Sequence, residues 1–261
     1  MTCLFTPDYA SAAVQPSPNH GERADGCKPD IVLLHYTGMP SHDGALDWLC
    51  REESQVSCHY FVHEDGRVLQ LVPEARRAWH AGKSFWAGDE DINSRSIGIE
   101  IANAGHPGGL PDFTDAQIEA VIALVRDCAD RWAIPPERIL GHSDVAPVRK
   151  VDPGEKFPWD RLFAAGVGHW VEPAPVSGGR FFQQGDCGQP VEALQSMLSL
   201  YGYGVEITGD YCPKTAGCVD AFQRHFRPAQ VDGIADFSTI DTLHRLLSAL
   251  PRYRREEAAK A

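Results

Sequence analysis

Two histidines and one aspartate carry the chemistry that stands out in this chain. They are His35 in Ile31-Val32-Leu33-Leu34-His35-Tyr36, His142 in Leu140-Gly141-His142-Ser143-Asp144, and Asp152 in Lys150-Val151-Asp152-Pro153-Gly154. Two imidazoles and a carboxylate can hold one zinc ion and leave its fourth position open for water, the arrangement of hydrolytic rather than structural zinc. Such a donor set leaves part of the metal charge uncompensated, enough to polarise a carbonyl and to lower the pKa of bound water from about 15.7 towards about 7. Wide separation along the chain says little about proximity, and His35 by itself, without His142 and Asp152, reads first as a hydrogen-bonded structural histidine.

The elements that would position these groups form a mixed α/β pattern. Ile31 to Tyr36 is a short apolar run rich in branched residues, so His35 projects from the end of a strand. Cys58 to His63 and Arg67 to Val72 flank Asp65-Gly66, a hairpin turn signal, and Ser96 to Ile101 predicts a further strand. His42 to Arg51 has helical spacing. Thr114 followed by Gln117 is a capping-box start for a long helix with Ile118, Val121, Ile122, Val125, Cys128 and Trp132 on one face, ended by Pro135-Pro136. His142 and Asp152 fall in a proline-containing segment that predicts an ordered loop.

Other polar residues gain meaning from these elements. Alternation along Ser96-Ile97-Gly98-Ile99-Glu100-Ile101 sets the three isoleucines on one face and Gly98 with Glu100 on the other, where the small glycine leaves room beside the carboxylate. Glu100 is then a candidate catalytic carboxylate or a surface glutamate. Lys150, two residues before Asp152, points the same way in extended chain. It would stabilise an oxyanion beside zinc or simply pair with Asp152. Trp79, His80 and Trp86 lie in a glycine-containing stretch where aromatic faces can receive sugar rings or peptide methyls, although a core role is open for either tryptophan. Asn93 is a candidate hydrogen-bond partner for a substrate peptide. Tyr36 and His59 either orient the metal ligands or are buried hydrogen-bonded residues.

Composition narrows the partners. The 261 residues are 43% hydrophobic, enough for a packed core in one or two domains, and the formal charge of −12 argues against a nucleic-acid partner. No stretch is long and apolar enough to predict a membrane span. The amino terminus lacks the pattern of a secretory signal, which favours a cytoplasmic setting with the cell envelope as the alternative. The eight cysteines are scattered without metal-type spacing and predict reduced, mostly buried thiols. Around 169–180 the composition shifts to a Pro- and Gly-containing linker. Beyond it, Pro190 to Gly202, Pro213 to Phe226 and Phe237 to Leu250 have helical spacing. A short repeat, Ile207-Thr208-Gly209 running to Thr215 and Val231-Asp232-Gly233 running to Thr239, sets a glycine turn before each of two helices.

Five motifs in order, His35-Tyr36-Thr37, Ser57-Cys58-His59-Tyr60, Ala78-Trp79-His80-Ala81-Gly82, Ser96-Ile97-Gly98-Ile99-Glu100 and Gly141-His142-Ser143-Asp144 with Pro153-Gly154, closely resemble the zinc-dependent N-acetylmuramoyl-L-alanine amidases. That AmpD/AmiD-like family shares its fold with peptidoglycan recognition proteins, and the likeness covers about residues 25–165. The resemblance implies one Zn2+ held by His35, His142 and Asp152, Glu100 as the proton acceptor for the attacking water, Lys150 as the oxyanion partner, and peptidoglycan or muropeptides as substrate. Residues 181–250 resemble the three-helix peptidoglycan-binding domains through Gly185-Asp186, Val191, Leu194-Gln195, Leu198, Gly209, Thr215, Phe222-Gln223, Val231-Asp232-Gly233 and Thr239. The implied architecture is an α/β catalytic domain (1–168) with a central mixed sheet flanked by helices, a linker (169–180), a small all-α three-helix domain (181–250) and a charged tail (251–261). A recognition protein of the same fold that binds without cutting is the alternative, as is a spacer or dimerisation role for the helical domain.

Overall fold

The structure, a computed structural model, describes residues 5–179 and 181–250. The expected charged tail, and Arg180 at the end of the expected linker, lie outside the described residues. The strands are β1 (Ala13–Val14), β2 (His20–Glu22), β3 (Ile31–Tyr36), β4 (Tyr60–Val62), β5 (Val68–Gln70), β6 (Arg76–Ala78), β7 (Ser96–Ile101) and β8 (Ile139–Gly141). The α-helices are α1 (His42–Leu49), α2 (Ile92–Arg95), α3 (Asp115–Trp132), α4 (His142–Val145), α5 (Trp159–Ala164), α6 (Gln189–Tyr201), α7 (Pro213–Phe226) and α8 (Phe237–Ala249). Among the described residues no helix is long and apolar enough to cross a membrane.

Six strands form one mixed sheet in the order β1-β5-β4-β7-β3-β8, and β2 pairs with β6 beside it. β3 lies at the centre of the site-bearing part, parallel to β7 on one side and β8 on the other, and β4 and β5 form the antiparallel hairpin predicted around Asp65-Gly66. Both faces of β3 are covered, which is why its sequence reads as a continuous apolar run rather than an alternating one. Val32 and Leu34, with Ile97, Ile99 and Ile101 of β7, pack against Ile118, Val121, Leu124, Val125 and Cys128 of α3. Leu124 belongs to this buried face, whereas Ile122 and Trp132 sit half-buried at its edges.

The α3 start departs from the predicted capping box. Thr114 Oγ1 accepts from the Gln117 amide (3.2 Å), but Gln117 does not reach back. Its side-chain amide donates to the Ala102 carbonyl (2.8 Å) instead, tying the helix to the sheet. The buried Ala102 carbonyl at the sheet end draws the side chain away from the Thr114 amide, because leaving that carbonyl unpaired costs more than an exposed cap gains.

The opposite sheet face is covered by the carboxy-terminal helices. Ile31, Leu33, Leu140, Trp86 and Ile92 share one buried cluster with Leu194, Leu198, Tyr201, Tyr203, Phe222 and Phe226. The helical domain is therefore built onto the sheet, and its core is continuous with that of the α/β domain. The segment expected as a linker is also fastened down: the Ala174 amide donates to Thr242 Oγ1 (3.0 Å) and its carbonyl accepts from Ser238 Oγ (2.5 Å), both on α8. Inside the helical domain the sequence repeat is a structural one. Gln195 Oε1 accepts the amides of Thr208 and Gly209, Gln223 Oε1 accepts those of Asp232 and Gly233, and their side-chain amides reach Thr215 and Thr239.

Candidate metal centre and active site

Sheet geometry places the first ligand and the carboxylate together. His35 and Glu100 are register partners on β3 and β7, so both side chains leave the face that α3 does not cover. His142 opens α4 directly after β8, the strand on the other side of β3, and the chain returns with Asp152. A backbone bond from the Ser143 amide to the Asp152 carbonyl (2.9 Å) closes that return.

The three groups converge. His35 Nδ1 lies 2.9 Å from His142 Nδ1, and each of these nitrogens lies 3.0 Å from Asp152 Oδ2. All three residues are buried. Together they form a group that could hold a metal ion.

Hydrogen-bond accounting decides which atoms carry lone pairs. His142 Nε2 faces the Ala81 carbonyl (3.0 Å), which can only accept, so Nε2 bears the proton and the Nδ1 lone pair points inward. The same logic runs through a longer chain from His35. Ser96 Oγ donates to the Ile92 carbonyl (2.6 Å) and so accepts from His80 Nε2 (3.3 Å). His80 Nδ1 is then an acceptor, His35 Nε2 donates to it (3.0 Å), and His35 Nδ1 is left with its lone pair. Two backbone carbonyls thus aim two imidazole lone pairs and a carboxylate at one point. Lone pairs at such separations repel unless a cation or proton lies among them, and a donor set of neutral imidazoles plus carboxylate fits zinc.

Electrostatics agrees with that donor state. Burial, and then the neighbouring His142, push the His35 pKa down to about 4, so its ring is neutral at pH 7. Burial opposes ionisation of Asp152, but the charge that the two imidazoles carry when protonated, and their hydrogen bonds, outweigh it and hold the carboxyl far below the usual range. Glu100 behaves oppositely. Burial first, and then the Asp152 charge, raise it well above an ordinary glutamate, with Lys150 pulling the other way, and its buried Oε2 has no hydrogen-bond partner among the described residues. A cation at the triad would add to the pull of Lys150.

These groups line a cleft of about 400 Å³ that includes Tyr36, Trp79, His80 and Lys150 among the residues singled out in the sequence. Trp79 is fixed to Ser57 by two hydrogen bonds, from its amide to Ser57 Oγ (2.9 Å) and from the Ser57 amide to its carbonyl (3.0 Å). The Tyr36 hydroxyl meets His106 Nδ1 (3.0 Å) rather than a ligand.

Three sequence expectations change, and for His59 the structure decides between the two readings. The space beside Gly98, expected to be open next to Glu100, is filled by His80: a Cβ at 98 would come within 2.5 Å of its ring. His80 is thereby a partner of His35 within the cleft wall. Trp86, expected at a substrate rim, is 1% exposed and packs against Tyr201, Tyr203 and the backbone of Gly202, because the helical domain covers that loop. Asn93 spends its side-chain oxygen on the amides of His80 (2.9 Å) and Ala81 (2.8 Å), so it shapes the loop that carries His80. His59 touches no ligand: its Nδ1 accepts the Gly98 amide (2.9 Å), its Nε2 donates to the Arg76 carbonyl (3.0 Å), and burial lowers its pKa to about 3.

Sequence reasoning missed Trp48 and Arg149. Trp48 stands 43% exposed on α1 at the cleft, and Arg149 Nη2 donates to the Ala81 carbonyl (2.6 Å) beside His142. The helical spacing of α1 was visible in the sequence, but not that its one tryptophan would face a cleft.

Known proteins carry the same combination. A profile of the family described as N-acetylmuramoyl-L-alanine amidase matches residues 25–155, and one of a peptidoglycan binding domain matches residues 187–243. N-acetylmuramoyl-L-alanine amidase AmiD of Escherichia coli (strain K12) is 37% identical over 223 residues, which cover 80% of this chain and 79% of that protein. A solved AmiD structure superposes with a TM-score of 0.72 at 36% identity, covering 87% of this chain and 92% of that one. The crystal structure of AmpDH3 from Pseudomonas aeruginosa gives 0.71 at 30% identity, over 95% and 100%. With the five motifs, the buried triad and both domains accounted for, the chain belongs to the N-acetylmuramoyl-L-alanine amidase family and carries a peptidoglycan binding domain after its amidase domain.

Proposed function

We propose that this amidase uses one Zn2+ on His35, His142 and Asp152 to hydrolyse the amide between the lactyl group of N-acetylmuramic acid and the L-alanine of the stem peptide. The observation that carries the metal assignment is the convergence of two imidazole lone pairs and a carboxylate whose tautomers are dictated by the carbonyls of Ala81 and Ile92. When bound there, zinc supplies Lewis acidity to the amide carbonyl and to the attacking water.

The chain's own groups then have separate tasks. Glu100 takes a proton from water and returns one to the departing amine, a cycle suited to a carboxyl whose pKa is raised above the ordinary range. Lys150 places positive charge beside the oxyanion that forms as the carbonyl is attacked. Met39, Trp48, Leu49 and Trp79 give the cleft an apolar wall against which sugar and peptide can pack.

Muropeptides carrying a 1,6-anhydro sugar are proposed among the substrates. AmiD has been solved with anhydro-N-acetylmuramic acid-L-Ala-D-gamma-Glu-L-Lys, and AmpDH3 with an anhydromuramic pentapeptide. The helical domain is proposed to add affinity for intact wall. A cytoplasmic setting is carried within the proposal, and recovery of the native protein with the envelope on fractionation would overturn that part.

The test combines metal analysis with digestion of defined muropeptides followed by mass spectrometry. The expected result is one zinc per chain and release of a peptide beginning with L-alanine. Zinc binding with intact muropeptide would remove the hydrolytic reading, and cleavage by a zinc-free, chelator-treated protein would remove the metal.

A further inference from the structure

We propose that helix α7 of the peptidoglycan binding domain clamps the loop that supplies two of the three metal ligands, with His225 and Tyr203 as positioning residues acting through Asp144. The inference rests on the reading that the triad holds zinc. It gives the helical domain a second task besides any contact with wall.

The loop from His142 to Glu155 has little regular structure beyond the α4 turn. Its own ties are short-range turns, the Ala146 amide to the His142 carbonyl (3.0 Å) and the Arg149 and Lys150 amides to the Ala146 carbonyl (3.2 and 3.0 Å), together with the Ser143 amide to the Asp152 carbonyl (2.9 Å) and the Gly141 amide to Asp144 Oδ2 (2.8 Å). The helical domain holds it at three further places. Gly217 lies against Val148, so closely that a Cβ at 217 would come within 2.3 Å of Val148 Cγ2. Arg224 Nε stands 3.5 Å from the Glu155 carboxylate, three residues after Asp152. His225 Nδ1 donates to Asp144 Oδ2 (2.7 Å), two residues after His142. Gly217, Arg224 and His225 are seven and eight positions apart, which puts them on one face of α7.

Asp144 is the centre of the clamp. It is wholly buried, and its oxygens accept from the Gly141 amide, from His225 and from the Tyr203 hydroxyl (2.7 Å), which follows α6. The His225 ring is itself fixed, stacked between Trp159 (centroids 3.7 Å apart) and Phe226 (3.8 Å). Removing the two side-chain donors leaves a buried carboxylate short of partners, a state relieved only if the turn shifts towards water. That turn begins with His142, and metal ligation depends on holding such a ligand to a fraction of an ångström.

The experiment uses the full chain and measures zinc affinity by competition with a chelating dye at pH 7, alongside thermal unfolding. Wild type is measured first: failure to bind zinc sinks the metal reading itself, whereas zinc binding untouched by the variants below sinks only the clamp. His225→Phe keeps the ring stack and loses the donor, while His225→Asn keeps a nitrogen donor where Nδ1 stands and loses the stack. Tyr211→Phe is the control, since it removes a buried hydroxyl bond to the Gly233 carbonyl (2.7 Å) within the same domain.

The clamp predicts zinc affinity reduced about tenfold or more in Tyr203→Phe/His225→Phe, retained within about threefold in His225→Asn, and unchanged in Tyr211→Phe. Wild-type affinity in the double variant overturns it. So does weaker zinc binding in His225→Asn than in His225→Phe, which would mark His225 as a packing residue alone.

Discussion

His35 and Glu100 face the same side of the sheet as register partners on the adjacent parallel strands β3 and β7. A candidate metal ligand and the candidate base are thereby held on two neighbouring strands, whose separation of about 4.8 Å is set by backbone hydrogen bonds. Loop motion can move His142 and Asp152 relative to this pair, but not the pair itself.

Replacing Glu100 by Gln keeps the shape and removes the proton acceptor. Turnover of soluble muropeptide is expected to fall by about 100-fold or more, with the zinc content of the purified protein unchanged. Near-wild-type turnover with zinc bound would show that another group takes the proton.

His80 sets the tautomer of His35 and rests on Gly98. His80→Ala is expected to weaken zinc binding by about 10- to 100-fold. Gly98→Ala should do the same by a different route, because the new Cβ would drive into the His80 ring. Chelator competition on both variants checks this, and wild-type affinity in both would show that His35 needs no partner on Nε2.

Acid should unfold the metal-free protein through its buried histidines. Burial lowers the pKa of His59 to about 3 and that of His35 to about 4, against 6.5 for an unburied ring. Between those values and 6.5 the unfolded chain binds protons that the folded chain refuses, so the stability present above pH 6.5 is lost as pH falls. His59→Asn retains an acceptor for the Gly98 amide and removes one titrating ring. Its melting temperature should fall less steeply than that of wild type from pH 6.5 to 4. Parallel slopes in calorimetry would exclude His59 as a source of the proton uptake.

Trp48 and Trp86 should separate binding from folding. Trp48→Ala removes an exposed cleft wall and is expected to raise KM for muropeptides with little change in kcat. Trp86→Ala opens a hole between the sheet and the helical domain and should cost about 3–5 kcal/mol of stability. Steady-state kinetics and urea unfolding of both variants read the two effects. An unchanged KM in the first would take Trp48 out of substrate binding.

Local signals accounted for much of this protein. Branched apolar runs marked β3 and β7, period-two alternation set Glu100 apart from the isoleucines of β7, and Asp65-Gly66 marked the hairpin. The glycine-turn repeat of the helical domain was visible because each copy needs the same buried glutamine to satisfy its turn amides. The donor types of the metal triad were also plain from residue chemistry, and the motifs around them carried the resemblance to the amidases.

Tertiary structure decided what no local pattern contains. Which imidazole nitrogens face the centre of the triad depends on carbonyls at Ala81 and Ile92, remote in sequence from the histidines they orient. Whether an aromatic in a glycine-containing loop meets substrate or core depends on what packs over it, and for Trp86 that is a domain more than a hundred residues further along the chain. A hydrophobic pattern reports that a face is covered, since apolar burial is non-directional. It does not report by which element, and so the union of the helical domain with the loop that holds His142 and Asp152 became visible only in the folded chain.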